Sequence, residues 1–206
     1  MPVCARPILP GLWLALLPHL GWPSGAYAQQ ADRPRFIPTD DVAVIYQLDG
    51  IGGADGPRKM QITYAEGGER VRIDYFRWLE AKYPYLALIF DRPANRLISV
   101  QPERKAYIDR QIGNHINPGA LLPPNMLFTR QGTSSVAHAP CTEWRIMPPD
   151  KPDSDGTACV TDDGIVLRLA STKPTVTTLT ATNIHYGAPP DGVFDPPKGF
   201  KRELEP

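Results

Sequence analysis

From Asp41 onward the apolar residues fall on alternate positions. Val42, Val44, Tyr46 and Leu48 line one side of a first run. Met60, Ile62 and Tyr64 then oppose Lys59, Gln61 and Thr63, and Val71, Ile73 and Tyr75 oppose Arg70, Arg72 and Asp74. This period of two predicts strands with one face on a core and the other in water. Glycine-rich turns at 50–56 and at Glu66-Gly67-Gly68 separate the runs. Three more strands are expected at Leu86 to Phe90, Arg96 to Val100 and Ala106 to Arg110. They are joined by Arg92-Pro93-Ala94-Asn95 and Gln101-Pro102-Glu103-Arg104, both good turn chemistry. Gln111 to Asn125 has no period and reads as a loop or one short helix. Met126 to Gln131, and then Ser134 to Tyr186, return to strands. The expectation is a mainly β, antiparallel meander.

The first 28 residues follow a different rule. Arg6 and the free amine give a short positive region, and a Leu-rich apolar stretch runs from Ile8 to Trp22, interrupted by Pro10 and Pro18. Pro23-Ser24-Gly25 ends any helix, and Ala26-Tyr27-Ala28 places small residues where a signal peptidase needs them. A membrane span wants about 20 uninterrupted apolar residues, so a cleavable signal peptide over 1–28 is expected rather than an anchor. The working chain then starts near Gln29 as a single domain over 29–206, periplasmic or secreted and not membrane-spanning. Cys4 precedes the apolar run and is wrongly placed for a lipid anchor at the cleavage point.

Charge adds an exclusion. Lys plus Arg equals Asp plus Glu, 22 each, so nothing favours capture of nucleic acid or an anionic surface. The 24 prolines cluster between apolar runs, which suits short strands and tight turns.

Cys141 and Cys159 remain after export, in a compartment where a bridge forms. A hairpin around Pro148 to Asp155 that sets Cys141 opposite Cys159 also sets Thr142 opposite Ala158 and Trp144 opposite Gly156. A two-residue turn at Asp163-Gly164 pairs Val160 with Leu167 and Ala158 with Leu169. In that register Trp144, Ile146, Val160, Leu167 and Leu169 share one face, and Cys141, Glu143, Cys159 and Arg168 share the other. Redox and metal sites usually hold cysteines two residues apart, so a structural bridge is expected.

Catalytic chemistry is hard to find. His115, His138 and His185 sit in unrelated contexts, and there is no Gly-x-Ser-x-Gly elbow, His-Glu-x-x-His or phosphate loop. Asp40-Asp41 and Asp162-Asp163 are turn formers by position. The reading is therefore no enzyme, no metal and no cofactor. One stretch stands apart: Tyr75 to Tyr85 packs five aromatics between two strands, with Phe76, Leu79 and Tyr83 at helical spacing. It is either a flap over the core or a lid over a ligand cavity.

Several elements together resemble exported bacterial proteins related to the periplasmic lipoprotein carriers LolA and LolB. They are Arg130-Gln131-Gly132-Thr133, Pro140-Cys141-Thr142-Glu143-Trp144, Ala158 through Arg168, and the closing Tyr186-Gly187, Phe194, Pro196-Pro197 and Gly199-Phe200. The resemblance implies a curved antiparallel half-barrel with one or two short helices or loops over its concave face. In the carriers that hollow takes acyl chains; the carriers lack this cysteine hairpin. The expected function is a non-enzymatic binding or carrier protein with an apolar cavity for a lipid or other lipophilic ligand. The cavity residues expected from strand parity are Tyr46, Met60, Ile62, Tyr64, Ile73 and Phe90, with Phe76 and Trp78 at the door. The alternative is an envelope protein–protein interaction or sensor module without a small-molecule ligand.

Overall fold

A computed structural model describes residues 32–113, 120–150, 155–171 and 177–204. The expected signal peptide, its cleavage point and His115 lie outside those residues. Among them, twelve strands form one open, curved sheet. In chain order they are β1 Val42–Asp49, β2 Lys59–Ala65, β3 Arg70–Phe76, β4 Leu86–Asp91, β5 Arg96–Gln101, β6 Ala106–Gln111, β7 Leu127–Val136, β8 Ala139–Met147, β9 Gly156–Val160, β10 Val166–Ser171, β11 Thr177–Tyr186 and β12 Lys201–Glu203. Their spatial order is β12-β6-β5-β4-β3-β2-β1-β11-β10-β9-β8-β7. All pairings are antiparallel except β12 against β6. No sequence signal predicted β12; its three residues are polar and charged.

Registers across the meander put the expected side chains on one surface. Val44, Ile62, Ile73 and Leu88 form one cross-strand row, and Val42, Tyr64, Val71, Phe90 and Leu97 form the next. These rows build the main core, on the concave face. The Trp144 cluster, with Ile146, Ala158, Val160, Val166 and Leu122, continues it, and Leu121 and Leu169 touch both. The convex face holds a smaller cluster, Ala87, Ile89, Ile98 and Val100, covered by Phe194 and Phe200 of the segment that leads to β12. That segment, 187–200, acts as a strap.

The cysteine hairpin forms with two corrections. The disulfide is present, with Cα atoms 5.4 Å apart. However, Cys159 faces Glu143, Trp144 faces Ala158 and Ile146 faces Gly156, two residues from the expected register. The ladder stops at Thr142 opposite Val160, and Cys141 reaches diagonally to Cys159. A two-residue slip preserves the pleat, so every face except that of Leu167 survives it. Leu167 moves because Asp162-Asp163-Gly164 is a three-residue loop: Thr161 N–H donates to the Ile165 carbonyl, and Gly164 sits at φ +100°. The odd residue is absorbed as a bulge between Val166 and Arg168, which leaves Leu169 opposite Ala158 as expected. Val166 takes the place beside Val160, and Leu167 joins Cys141 and Cys159 in the main cluster.

The segment 32–38 ahead of β1, rich in Arg and Pro, packs on the core. Ile37 packs so closely that a Cβ on Gly68 would stand 2.1 Å from its Cγ2 and one on Gly164 would stand 2.5 Å from its carbonyl oxygen. Phe36 packs against Phe128 with ring centroids 5.5 Å apart and the rings tilted by 52°. Because Gly68 and Gly164 lie in turns at the same end of the sheet, Ile37 closes that end of the half-barrel.

Candidate functional site

The opposite end stays open. The strands β1, β3, β8 and β10 finish there, and β2, β9 and β11 begin there. Between their ends and the covering segment 120–126 lies a cavity of about 390 Å³. Its walls are Leu48, Ile51, Met60, Leu121, Leu122, Met126, Ile146, Leu169 and Leu179, with Pro123 and Pro148 at the rim. Among the described residues, Tyr75, Ser171 and Thr178 are the side chains there with hydroxyl groups, and no Asp, Glu, Lys or Arg lines it. Such a chamber removes apolar groups from water and gives a charged group no partner.

Of the eight residues expected at a ligand, Met60 lines this cavity. Tyr46, Ile62, Tyr64, Ile73 and Phe90 lie on the same face but deeper, packed among themselves and with less than a tenth of their surface exposed. Parity places a residue on a face; it cannot tell whether its neighbours fill the hollow. Phe76 points to the convex side, under the Lys59 ammonium at 4.4 Å. Trp78 and Tyr83 are 65 % and 83 % exposed and flank a surface hollow with Arg77, Tyr85 and Pro102, apart from the cavity walls. The insert between β3 and β4 forms bends and a turn, not a helix. The main wall missed by parity is Leu121-Leu122 and Met126. Its one signal is a pair of leucines inside an aperiodic, proline-flanked stretch, where a solvated loop would be polar.

Two of the deep residues are tyrosines, whose hydroxyls are far from water. Burial holds both the Tyr46 and Tyr64 phenols far above their usual range, and Tyr46 also feels Tyr64. The Tyr46 hydroxyl is buried with no hydrogen-bond partner among the described residues. An unsatisfied buried hydroxyl costs about 1–3 kcal/mol, so Tyr46→Phe should raise the unfolding free energy by about 1 kcal/mol in urea titration. A variant less stable than the parent would show that the hydroxyl is satisfied in solution.

Among the described residues no three His, Cys, Asp or Glu side chains converge as metal ligands, and no helix is long and apolar enough to cross a membrane.

An open, curved, largely antiparallel sheet with loops over its hollow is the LolA-like fold. No family model matches the sequence, and no curated protein matches it. Solved structures do share its architecture. A conserved protein of unassigned function from Thermus thermophilus aligns over 81% of this chain and 91% of its own, with a TM-score of 0.53 at 7% identity. MucB aligns over 75% of this chain at 14% identity and a TM-score of 0.50; the chain spans 56% of MucB's length. A LolA superfamily protein from Nitrosomonas europaea matches over 80% of this chain and 93% of its own, at 13% identity and a TM-score of 0.36. At such identities what the first two share with this chain is the fold, and no residue role passes from any of these proteins to this chain.

Proposed function

We propose that this chain is an exported, non-enzymatic binding or carrier protein whose end cavity holds the hydrocarbon tail of a lipid or similar lipophilic molecule. The observation that carries this reading is the cavity of about 390 Å³ at the open end of the half-barrel, apolar along its described walls. The expected signal peptide and the bridge between Cys141 and Cys159 support an oxidising compartment such as the periplasm. Each methylene taken from water contributes about 0.8 kcal/mol. Burying about ten of them contributes about 8 kcal/mol, the size of a micromolar binding free energy before ordering costs are subtracted.

Palmitate titrated into the mature Trp78→Phe variant tests this, because Trp144 packs against Leu122 and Ile146 of the cavity wall and is then the remaining indole. Its emission should shift saturably, and Leu121→Trp, a bulky change on a partly exposed covering segment, should weaken binding at least about tenfold, or about 1.4 kcal/mol. A flat titration, together with protein that leaves the periplasm free of lipid, would turn the reading to an envelope interaction module. The observation favouring that second reading is the exposed group Trp78, Leu79 and Tyr83 on one loop. MucB, which shares the fold, has been crystallised in complex with MucA.

A further inference from the structure

The convex face has a feature of opposite character. Between the strap and strands β11, β1 and β2 lies a cleft of about 410 Å³. Two cross-strand rows make its floor: His185, Ala43 and Thr63 in one, Asn183, Ile45 and Gln61 in the next. Pro189, Pro190 and Val193 make its wall. The wall is held in place, since the Arg72 guanidinium donates to the Val193 carbonyl at 2.9 Å and Phe194 packs on the convex cluster.

Four polar side chains face this space: Thr63, Gln61, Asn183 and His185. None has a hydrogen-bond partner among the described residues. Thr63 is the telling one, because it is 4 % exposed and its hydroxyl still opens on the cleft. Thr63 is buried, Gln61 is half-buried, and Asn183 and His185 are exposed, so the cleft gathers four polar side chains whose hydrogen-bonding groups are free to meet a ligand.

We propose that this cleft is a second binding site, for a neutral, hydroxyl-rich ligand of disaccharide size. Among the described residues no Asp, Glu, Lys or Arg lines it, so it holds no fixed charge to answer a charged ligand. Hydroxyl, amide and imidazole groups each bring hydrogen-bonding atoms, and sugar hydroxyls can donate to or accept from any of them. Asn183 and Gln61 flank Ile45 on either side. With strands about 4.8 Å apart they stand about 10 Å from each other, the reach of two linked rings. Ala43 leaves a notch between His185 and Thr63, while Ile45 and the prolines give apolar contact to ring C–H faces. An extended peptide fits poorly. Strands β11, β1 and β2 are each paired on both sides, so the floor has no free backbone groups for a ladder.

The test follows the side-chain amide NMR signals of Asn183 and Gln61 in the mature protein during titration with maltose and with N,N′-diacetylchitobiose. At least one sugar should move both signals saturably at millimolar concentration. The Asn183→Ala variant, altered at an exposed position, and Ala43→Leu, which fills the notch, should each weaken binding roughly tenfold, as loss of one or two hydrogen bonds requires. Palmitate binding at the open end should be unchanged in both variants, so the two sites fail independently. Signals that move linearly, that move equally with glycerol, or that saturate unchanged in both variants would overturn the proposal.

Discussion

Replacing Cys141 and Cys159 together by alanine is expected to lower the unfolding free energy by about 3 kcal/mol. The bridge closes a loop with a sequence separation of 18 and removes that loop's freedom from the unfolded chain. Its sulfurs are also core atoms: both cysteines are buried, beside Val136, Ile165 and Leu167. The loop that the bridge spans joins β8 to β9, and the ends of those strands supply Ile146, Pro148 and Gly156 to the cavity. The loss should therefore be felt at the open end as well as in global stability. Urea unfolding of the double alanine variant, with dithiothreitol-treated parent protein as a second arm, measures it. A change below about 1 kcal/mol in both arms would show that the sheet holds this hairpin without help.

The second large effect belongs to Asp74. Arg72 and Asp74 sit two residues apart on the convex side of β3, and the guanidinium bonds the carboxylate through Nε and Nη2 at 2.8–3.0 Å. Its remaining nitrogen, Nη1, holds the strap through Val193. Both side chains are largely shielded from water. Asp74→Ala leaves a shielded positive charge without its partner, a change that costs about 3 kcal/mol in comparable sites. The same substitution unfixes the Arg72 side chain that fastens the strap. Two readouts are expected together: a loss of about 2–3 kcal/mol in urea unfolding and faster proteolysis within 187–200. Changing Arg72 to alanine as well should recover part of the stability, since no charge is then stranded, but leave the strap cut as readily. Stability and cleavage both unchanged in Asp74→Ala would mean that strap and ion pair are uncoupled.

Much of this fold is written in the period of two. Val42 to Leu48, Met60 to Tyr64 and Val71 to Tyr75 declare their inner face without any knowledge of partners, because a strand's side chains must alternate. The disulfide was legible for the same reason: the hydrophobic pattern of the hairpin and the two cysteines agree on which faces lie together. That agreement survived a register wrong by two residues, since the pleat repeats every two and parity alone cannot detect the slip. What parity cannot supply is depth. Tyr46, Ile62, Tyr64 and Ile73 and the cavity wall residue Met60 have one and the same local pattern. Only the curvature of the sheet, with Ile37 closing one end, decides that the first four are packed solid while Met60 borders a hollow. The covering leucines 121 and 122 come from a segment with no period, so nothing local tells a core-facing loop from a solvated one. The strap and β12 lie beyond the reach of pattern for a further reason. Their hold on the sheet rests on Arg72 and on the edge of β6, more than ninety residues away in the chain, and a contact of that range exists only once β1 to β6 have paired to give the strap a face to cross and β12 an edge to join.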